Sequence, residues 1–330
     1  MAILVTGATG FVGINLVKMI AAQGRDVVGL YRTPYDDFEP WFLGEYWEST
    51  HVKMVRGDIT SDATIEELRD YGITGIIHSA VVTPSPEMER DYPEMICNVN
   101  VMGTVKLLEL ARTEGMKRFV YVSSSGVYGD TGDNETLVSE DLSIVPHGLY
   151  GVTKYCSEGV TGRYGEIYDM YTASARIGAP YGPGERPTKS RTIMSPLCVM
   201  ASQAALGQSV TLANPDIARD WTHVNDTCAA LLALYDGMPL RHALFNVSLG
   251  RSENLWQAAE ILQSLLSDAQ FSEVPEDAAD TGMSRTNRRG PMSVQRLIDD
   301  SGFEPSISLR EGLEDYVNWL QRYQAWSQQR

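Results

Sequence analysis

Tyr150 and Lys154 stand four residues apart in Leu149-Tyr-Gly-Val-Thr-Lys154, downstream of three consecutive serines, Ser123, Ser124 and Ser125. Residues four apart on a helix project from one face, and the run from Tyr150 through Tyr164 reads as a helix. A free tyrosine, with a pKa of ~10, is a poor base at neutral pH. A lysine ammonium ~4 Å away, at an effective dielectric of ~20, favours the phenolate by up to ~4 kcal/mol, or ~3 pKa units. A serine hydroxyl nearby can polarise a carbonyl or alcohol oxygen while the tyrosine exchanges its proton. The pairing also arises by chance in ordinary amphipathic helices, so its meaning depends on what surrounds it.

The chain opens with an apolar run, Ala2–Val5, followed by Thr6-Gly-Ala-Thr-Gly-Phe-Val-Gly13. Gly7, Gly10 and Gly13 recur at three-residue spacing and lead into an apolar-periodic helix reaching about Ala22. Without side chains there, the backbone bends tightly and a pyrophosphate can approach the N–H groups at the helix N-terminus. The alternative for three glycines alone is a tight turn; the strand–turn–helix setting favours dinucleotide binding. Past the second strand come Leu30-Tyr31-Arg32-Thr33, with no carboxylate before Asp36. An acidic residue at that strand end would bond a ribose 2′-hydroxyl, whereas arginine suits a 2′-phosphate. Arg32 therefore leans toward NADP over NAD, unless it is simply a solvated surface arginine. Asp58, next to Ile59, is suited either to an adenine amino group or to capping a helix.

Further strands are expected at Asp26–Leu30, Val52–Arg56, Gly75–His78 and Arg118–Val122, with a helix from Asn100 to about Glu114. Strands alternating with helices imply α/β architecture: a parallel sheet with helices on both faces. The serine run closes the last of these strands, at the edge where such sheets bind ligands. The aromatic-rich stretch from Thr33 to Thr50 reads as a short helical insert. After Tyr181 the rhythm breaks, leaving helical segments near Asn254 and at Leu309–Gln321. This divides the chain into a dinucleotide-binding domain over residues 1–176, to which later segments can return, and a mainly substrate-binding lobe over 177–330.

The 330 residues carry a formal charge of −16, which disfavours nucleic acid and anionic membranes as partners. No apolar run approaches a membrane span or a signal peptide. Cys97, Cys156, Cys198 and Cys228 are widely spaced, suiting reduced, mostly buried thiols in a cytoplasm, and the five histidines show no metal-ligand spacing.

Taken together, Thr6-Gly-x-x-Gly-x-x-Gly13, Ser123-Ser-Ser-Gly-Val-Tyr-Gly129 and Tyr150-x-x-x-Lys154 resemble the extended short-chain dehydrogenase/reductase family, specifically its epimerase/dehydratase branch. Ile76-Ile-His-Ser-Ala80, Asn100-Val-Met-Gly-Thr104, Arg176 leading to Pro180-Tyr-Gly-Pro-Gly184, and Arg219-Asp-Trp-Thr-His-Val-Asn-Asp226 extend the match in family order over nearly the whole chain. The resemblance implies a Rossmann-type, doubly wound parallel sheet with a smaller mixed C-terminal lobe. It also implies Ser124 as catalytic hydroxyl with Ser125 close by, Tyr150 as acid/base, and Lys154 as ribose ligand and pKa-lowering charge. Gly7, Gly10, Phe11, Val12, Gly13, Tyr31, Arg32, Asp58, Ile59, Ser123 and Ile177 would contact the cofactor, Ala80 and Val81 would line its path, and Asn100 would hold helix geometry. Thr83, Arg219 and Arg289 would contact substrate. Helices around 101–114 and 150–165 form a homodimer interface in similar proteins.

Three departures narrow the reading. Ser125-Gly126 replaces the acidic pair of sugar-nucleotide dehydratases, which disfavours dehydration. Ala179, three after Arg176, lacks the asparagine that contacts pyrophosphate in nucleotide-sugar enzymes of this branch, and so weighs against a nucleotide-diphosphate sugar. Arg219 and Arg289 match phosphate-binding arginines, although Arg219 can instead pair with Asp220, and Arg289 can belong to a solvated cluster with Arg285 and Arg288. Arg186, Lys189 and Arg191 make one loop basic, either to recruit an anion or merely as exposed surface, and His223 reads as a packed residue. The expected activity is hydride exchange between NAD(P) and a carbinol or carbonyl carbon of a sugar or sugar derivative. A nucleotide-sugar epimerase with retained NAD is the alternative, and a non-enzymatic dinucleotide sensor is disfavoured by the intact tyrosine–lysine pair.

Overall fold

Ala2–Thr6 (β1) is buried along its whole length, as a strand covered on both faces must be. The computed structural model describes residues 1–188, 194–286 and 288–329. It continues with Val27–Tyr31 (β2), Val52–Arg56 (β3), Ile73–His78 (β4), Arg118–Ser124 (β5) and Tyr171–Ile177 (β6). Three short strands follow, Ala179–Tyr181 (β7), Val210–Ala213 (β8) and Trp221–His223 (β9), then Leu244–Val247 (β10), Phe271–Glu273 (β11) and Thr281–Gly282 (β12). The central sheet runs β3-β2-β1-β4-β5-β6-β10, with every neighbouring pair parallel. This is the doubly wound α/β sheet expected from the sequence.

The helices are Phe11–Ala22 (α1), Phe38–Leu43 (α2), Asp62–Glu67 (α3), Pro86–Asp91 (α4), Pro93–Cys97 (α5) and Gly103–Thr113 (α6). Gly148–Ile167 (α7), Pro196–Ala205 (α8), Val224–Gly237 (α9), Leu255–Leu265 (α10), Gln295–Ser301 (α11) and Leu309–Ser327 (α12) complete them. Successive strand residues point to opposite faces, and the two cores divide accordingly. Ile3, Val5, Ile77, Val120 and Val122 enter one core with α1 and α9 residues such as Ile14 and Leu231. Leu4, Ile76, Phe119 and Tyr121 enter the other with Leu107 and Leu108 of α6.

Two sheet strands, β6 and β10, are absent from the sequence reading. β10 lies deep in the second half of the chain, yet pairs with β6 from Leu244↔Ser174 to Val247↔Ile177. The aromatic insert does fold as a short helix, α2, with Phe38, Phe42 and Leu43 buried. Its cover is remote in sequence: Trp41 stacks on Trp326 of α12 at 5.0 Å, and Trp319 stacks on Tyr323 at 5.2 Å. The long terminal helix starts where Ser308 and Glu311 close a capping box. Of the four cysteines, Cys198 and Cys228 are buried, but Cys97 and Cys156 are exposed, correcting the expectation of mostly buried thiols.

The sheet order reverses between β1 and β4, which opens a crevice beyond their C-terminal ends. Gly7 leaves β1 with φ +70, and a Cβ there would stand 2.9 Å from the Ala80 Cα that follows β4. At Gly13 a Cβ would overlap the Gly7 carbonyl oxygen. Gly13→Ala is therefore expected to destabilise the fold by about 1–3 kcal/mol, as overpacking does, with urea unfolding as the measurement.

Candidate active site

The crevice between β1 and β4 has the features of an anion cradle. Gly10, the N-cap of α1, offers no side-chain acceptor, and the first turn (Phe11, Val12, Gly13) carries no acidic residue to occupy the positive helix end. Thr6 Oγ1 accepts from the Ala80 amide at 3.1 Å and bonds His78 Nδ1 at 2.7 Å, locking the two strand ends together. His78 is buried, and burial with the nearby Lys154 charge pushes its pKa down to about 3. Tyr31 is buried and Arg32 exposed at the end of β2, where Arg32 stands 4.0 Å from Asp58 Oδ2. Asp58 Oδ1 accepts from both the Thr60 amide and hydroxyl, the turn-capping use anticipated as an alternative. Ile59 packs beneath Gly103. These glycines and the uncapped helix end suit a dinucleotide's pyrophosphate, and Tyr31 and Arg32 stand at the C-terminal end of the neighbouring strand β2.

At the C-terminal ends of β5 and β6, the helix α7 brings Tyr150 into one cleft with Ser124, both beside Gly126, and sets Lys154 against β5. Lys154 is buried, and its Nζ donates to the Val122 carbonyl at 2.7 Å and lies 4.9 Å from the Tyr121 ring centroid and 5.9 Å from that of Tyr150. Burial lowers its pKa to about 7, partly opposed by Glu158. Ser124 Oγ accepts from the Gly126 amide at 3.0 Å, which fixes the start of the short turn Ser125–Tyr128. The helix α7 is seated by Asn100, within a π-helical turn Asn98–Met102: its Oδ1 accepts from the Val82 amide at 2.8 Å, while Nδ2 donates to the Val82 carbonyl and to Thr153 Oγ1. Ser157 Oγ donates in turn to the Asn100 carbonyl at 2.9 Å.

Ser123 has a different place from its neighbour. Its buried hydroxyl donates to Glu158 Oε1 at 2.5 Å, and Glu158 also takes Arg176 in a bidentate pair at 3.0 and 2.7 Å. Ser123 thus ties β5 to α7 beneath the cleft. Glu158 and Arg176 are both nearly inaccessible, so removing either partner would leave an uncompensated buried charge.

A cleft of about 640 Å³ is lined by Ser124, Ser125, Tyr150, Ala179, Arg219 and Arg289, together with His147, Ser195, Trp221 and Met283. Arg289 Nη1 donates to the Ser125 carbonyl at 2.7 Å, and burial with the adjacent Arg219 charge pushes its guanidinium down to about 9. Burial likewise lowers Arg219. Asp220 spends its carboxylate on the amides of Leu249, Gly250 and Met292, and burial raises its pKa to about 6. Arg289 is anchored on the loop that Met292 closes, not in a solvated cluster with Arg285, which bonds Asn214 instead. Ile177 pairs in register with Ser124, beside the cleft. Val81 is half-buried, but Thr83 is exposed and is not among the cleft residues, so its expected substrate contact finds no support here. Arg186 is bound by Asp36 and Glu39 and lies over the Phe38 ring, which removes it as an anion recruiter; Lys189 and Arg191 lie outside the described residues. His223 is buried edge-on against Tyr181, as a packed residue. Among the described residues, no group of three or more His, Cys, Asp or Glu is placed to hold a metal.

The sequence model of the NAD dependent epimerase/dehydratase family matches residues 3–246. The chain belongs to that family. This enzyme of the extended short-chain dehydrogenase/reductase type is 28% identical to the GDP-6-deoxy-D-mannose reductase of Pseudomonas aeruginosa, with 97% of each chain covered. It is 27% identical to the UDP-glucuronate 4-epimerase of Thermodesulfobacterium geofontis, over 96% of this chain and 95% of that one. Among solved structures, MoeE5 in complex with UDP-glucose and NAD superposes with a TM-score of 0.78 at 26% identity, covering 98% of this chain and all of its own.

Within this epimerase/dehydratase fold, two cleft residues, His147 and Met283, carried no readable signal, whereas Trp221 lies inside the Arg219–Asp226 motif. Glu158 did have one, since Tyr150, Lys154 and Glu158 recur at four-residue steps on α7 and so share a face. Lys154 sets up a test. Its folded pKa of about 7 lies below its ordinary 10.5, so its burial costs stability increasingly as pH falls from about 10.5 to about 7. Lys154→Met should unfold later than the wild type at pH 7, by on the order of a few kcal/mol. The stability difference between the two should vanish toward high pH, as read by chemical denaturation across pH.

Proposed function

We propose that the protein catalyses NAD(P)-dependent hydride transfer at a carbinol or carbonyl carbon of a sugar carried on a nucleotide diphosphate. The observation that carries this reading is a single cleft holding Tyr150 and Ser124 together with two adjacent arginines, Arg219 and Arg289. Bound in the β1–β4 crevice, the nicotinamide dinucleotide supplies or accepts hydride at the substrate carbon. Tyr150 gives or takes the proton at the substrate oxygen, Ser124 Oγ orients that oxygen, and the Lys154 charge, held inside low-dielectric protein, favours the phenolate. The same charge, near the crevice, suits a ribose hydroxyl as partner. Asn100 keeps Thr153, and with it α7, in place behind Tyr150. Two arginines pressed together in a part-buried site repel each other until an anion with several charges arrives, which a diphosphate supplies. Ala179 forgoes one hydrogen bond to such a ligand but leaves this charge matching intact. The names of the reductase and epimerase relatives support a nucleotide-linked sugar.

Net redox with a dissociable cofactor and epimerisation with a retained one use the same side chains. Asp36, the first carboxylate after β2, is engaged by the Phe38 amide and Arg186, leaving Arg32 to face a 2′-phosphate; this leans toward NADP and net redox. The epimerase reading is favoured by the UDP-glucuronate 4-epimerase relative. No described helix is long and apolar enough to cross a membrane. A cytoplasmic homodimer is the assembly we favour, because Met102, Val152 and Tyr155 leave apolar surface exposed at the start of α6 and on α7.

Two outcomes are expected. Tyr150→Phe should lower turnover of UDP-glucose, UDP-glucuronate or a GDP-hexose by at least about 100-fold while dinucleotide affinity, measured by calorimetry, stays near wild type; an active variant would sink the mechanism. Mass spectrometry of protein denatured straight after purification should find an empty site that binds NADPH if the reaction is net redox, whereas stoichiometric NAD would establish the epimerase reading.

A further inference from the structure

The helix α7 begins two residues before Tyr150, and its own N-cap side chain does not cap it. His147, at the N-cap position, makes no side-chain cap hydrogen bond, and Gly148 leaves with φ +68. The acceptor comes instead from α4. Glu89 Oε1 accepts from the Leu149 amide at 2.6 Å and from the Tyr150 amide at 3.4 Å. A Cβ at Gly148 would sit 3.0 Å from that oxygen, so glycine leaves the room the carboxylate uses. Glu89 is itself held in place: Ser85 caps α4 through the Met88 amide, Pro86 opens the helix, and the Glu89 amide donates to the Ser85 carbonyl at 3.0 Å.

We propose that Glu89 is a positioning residue that caps α7 from outside the helix, fixes the backbone of Tyr150, and sets the acidity of its phenol. The inference rests on Tyr150 as the proton-transfer group. A helix N-terminus carries partial positive charge, which stabilises a phenolate on its first turn. A carboxylate on those same amides cancels much of it and holds the phenol toward its neutral form, while Lys154 pulls the other way. Among the described residues, Tyr150 also interacts electrostatically with Arg289 and Tyr121, and His147 and Arg219 line the same cleft. Glu89 also joins α4, which follows Val81 and Val82 on the cofactor side, to the catalytic helix. It works in parallel with the Val82–Asn100–Thr153 tie, but bonds the Tyr150 amide itself, whereas the other tie reaches α7 at Thr153.

The test separates the hydrogen bond from the charge. In Glu89→Gln the amide oxygen still accepts from Leu149; in Glu89→Ala nothing does. Hydrogen exchange on the full-length protein should show the Leu149 and Tyr150 amides deprotected about fivefold or more in Glu89→Ala, given a cap worth ~1 kcal/mol or more, and near wild type in Glu89→Gln. The phenolate absorbance titration of Tyr150, taken as the difference between each protein and its Tyr150→Phe counterpart, should move to lower pH by about 0.2–0.7 unit in Glu89→Gln. Unchanged exchange in Glu89→Ala would overturn the capping role, and an unmoved titration in Glu89→Gln would overturn the control of acidity. Both readouts are independent of substrate. Failure of the broader mechanism, seen as an active Tyr150→Phe enzyme, is therefore distinguishable from failure of this inference.

Discussion

Burial of the Lys154 ammonium is the constraint around which the rest of the site is arranged. An amine in low dielectric loses its proton unless its surroundings replace water. Here the replacements are the Val122 carbonyl, the Tyr121 ring and the more distant Glu158 carboxylate. None is a full ion pair, since Glu158 is committed to Arg176 and Ser123. The charge is therefore held under tension, which makes it effective on a neighbouring phenol. A lysine satisfied by a carboxylate at contact would be more stable and would exert a weaker field on Tyr150.

That arrangement reaches outward through the strands. Ser123 and Ser124 are adjacent on β5 and point to opposite faces: one hydroxyl anchors the strand to α7 through Glu158, and the other is presented to the cleft. Alternation along a strand thus turns a plain serine run into a structural and a chemical residue side by side. Asn100 does the same for the opposite flank, because a π-helical turn re-aims its amide at Val82 and Thr153 where a regular helix would continue past them. Asp220 holds the Met292 amide and so fixes the loop that carries Arg289 to the cleft.

Much of this was legible in the chain. Glycines at three-residue spacing after an apolar strand are informative because steric exclusion is local: Gly7 and Gly13 approach each other within one turn. Tyr150 and Lys154 were legible because helical periodicity makes spacing equal to proximity. β6 and β10 were not. Tyr171–Ile177 mixes small and polar residues, including Arg176, whose burial Glu158 and the Tyr128 ring, both on other elements, make tolerable. Thr83, expected at the substrate, is exposed and does not line the cleft. Arg186 read as a free cation until the α2 insert folded Asp36, Glu39 and Phe38 around it.

The sequence alone determined the parallel α/β sheet, the dinucleotide turn and the placing of Tyr150 and Lys154 on one helix face, while the family resemblance singled out Ser124. The sheet, turn and helix face follow from periodicity and from steric rules that act over a few residues. Only the tertiary structure decided that Ser123 turns to Glu158 while Ser124 and Ser125 line the cleft, and that two arginines far apart in the chain converge on one cavity. It also decided that the catalytic helix takes its cap from Glu89 on a different element. Those facts depend on long-range closure, in which desolvation and hydrogen-bond satisfaction are settled between segments with no local influence on one another.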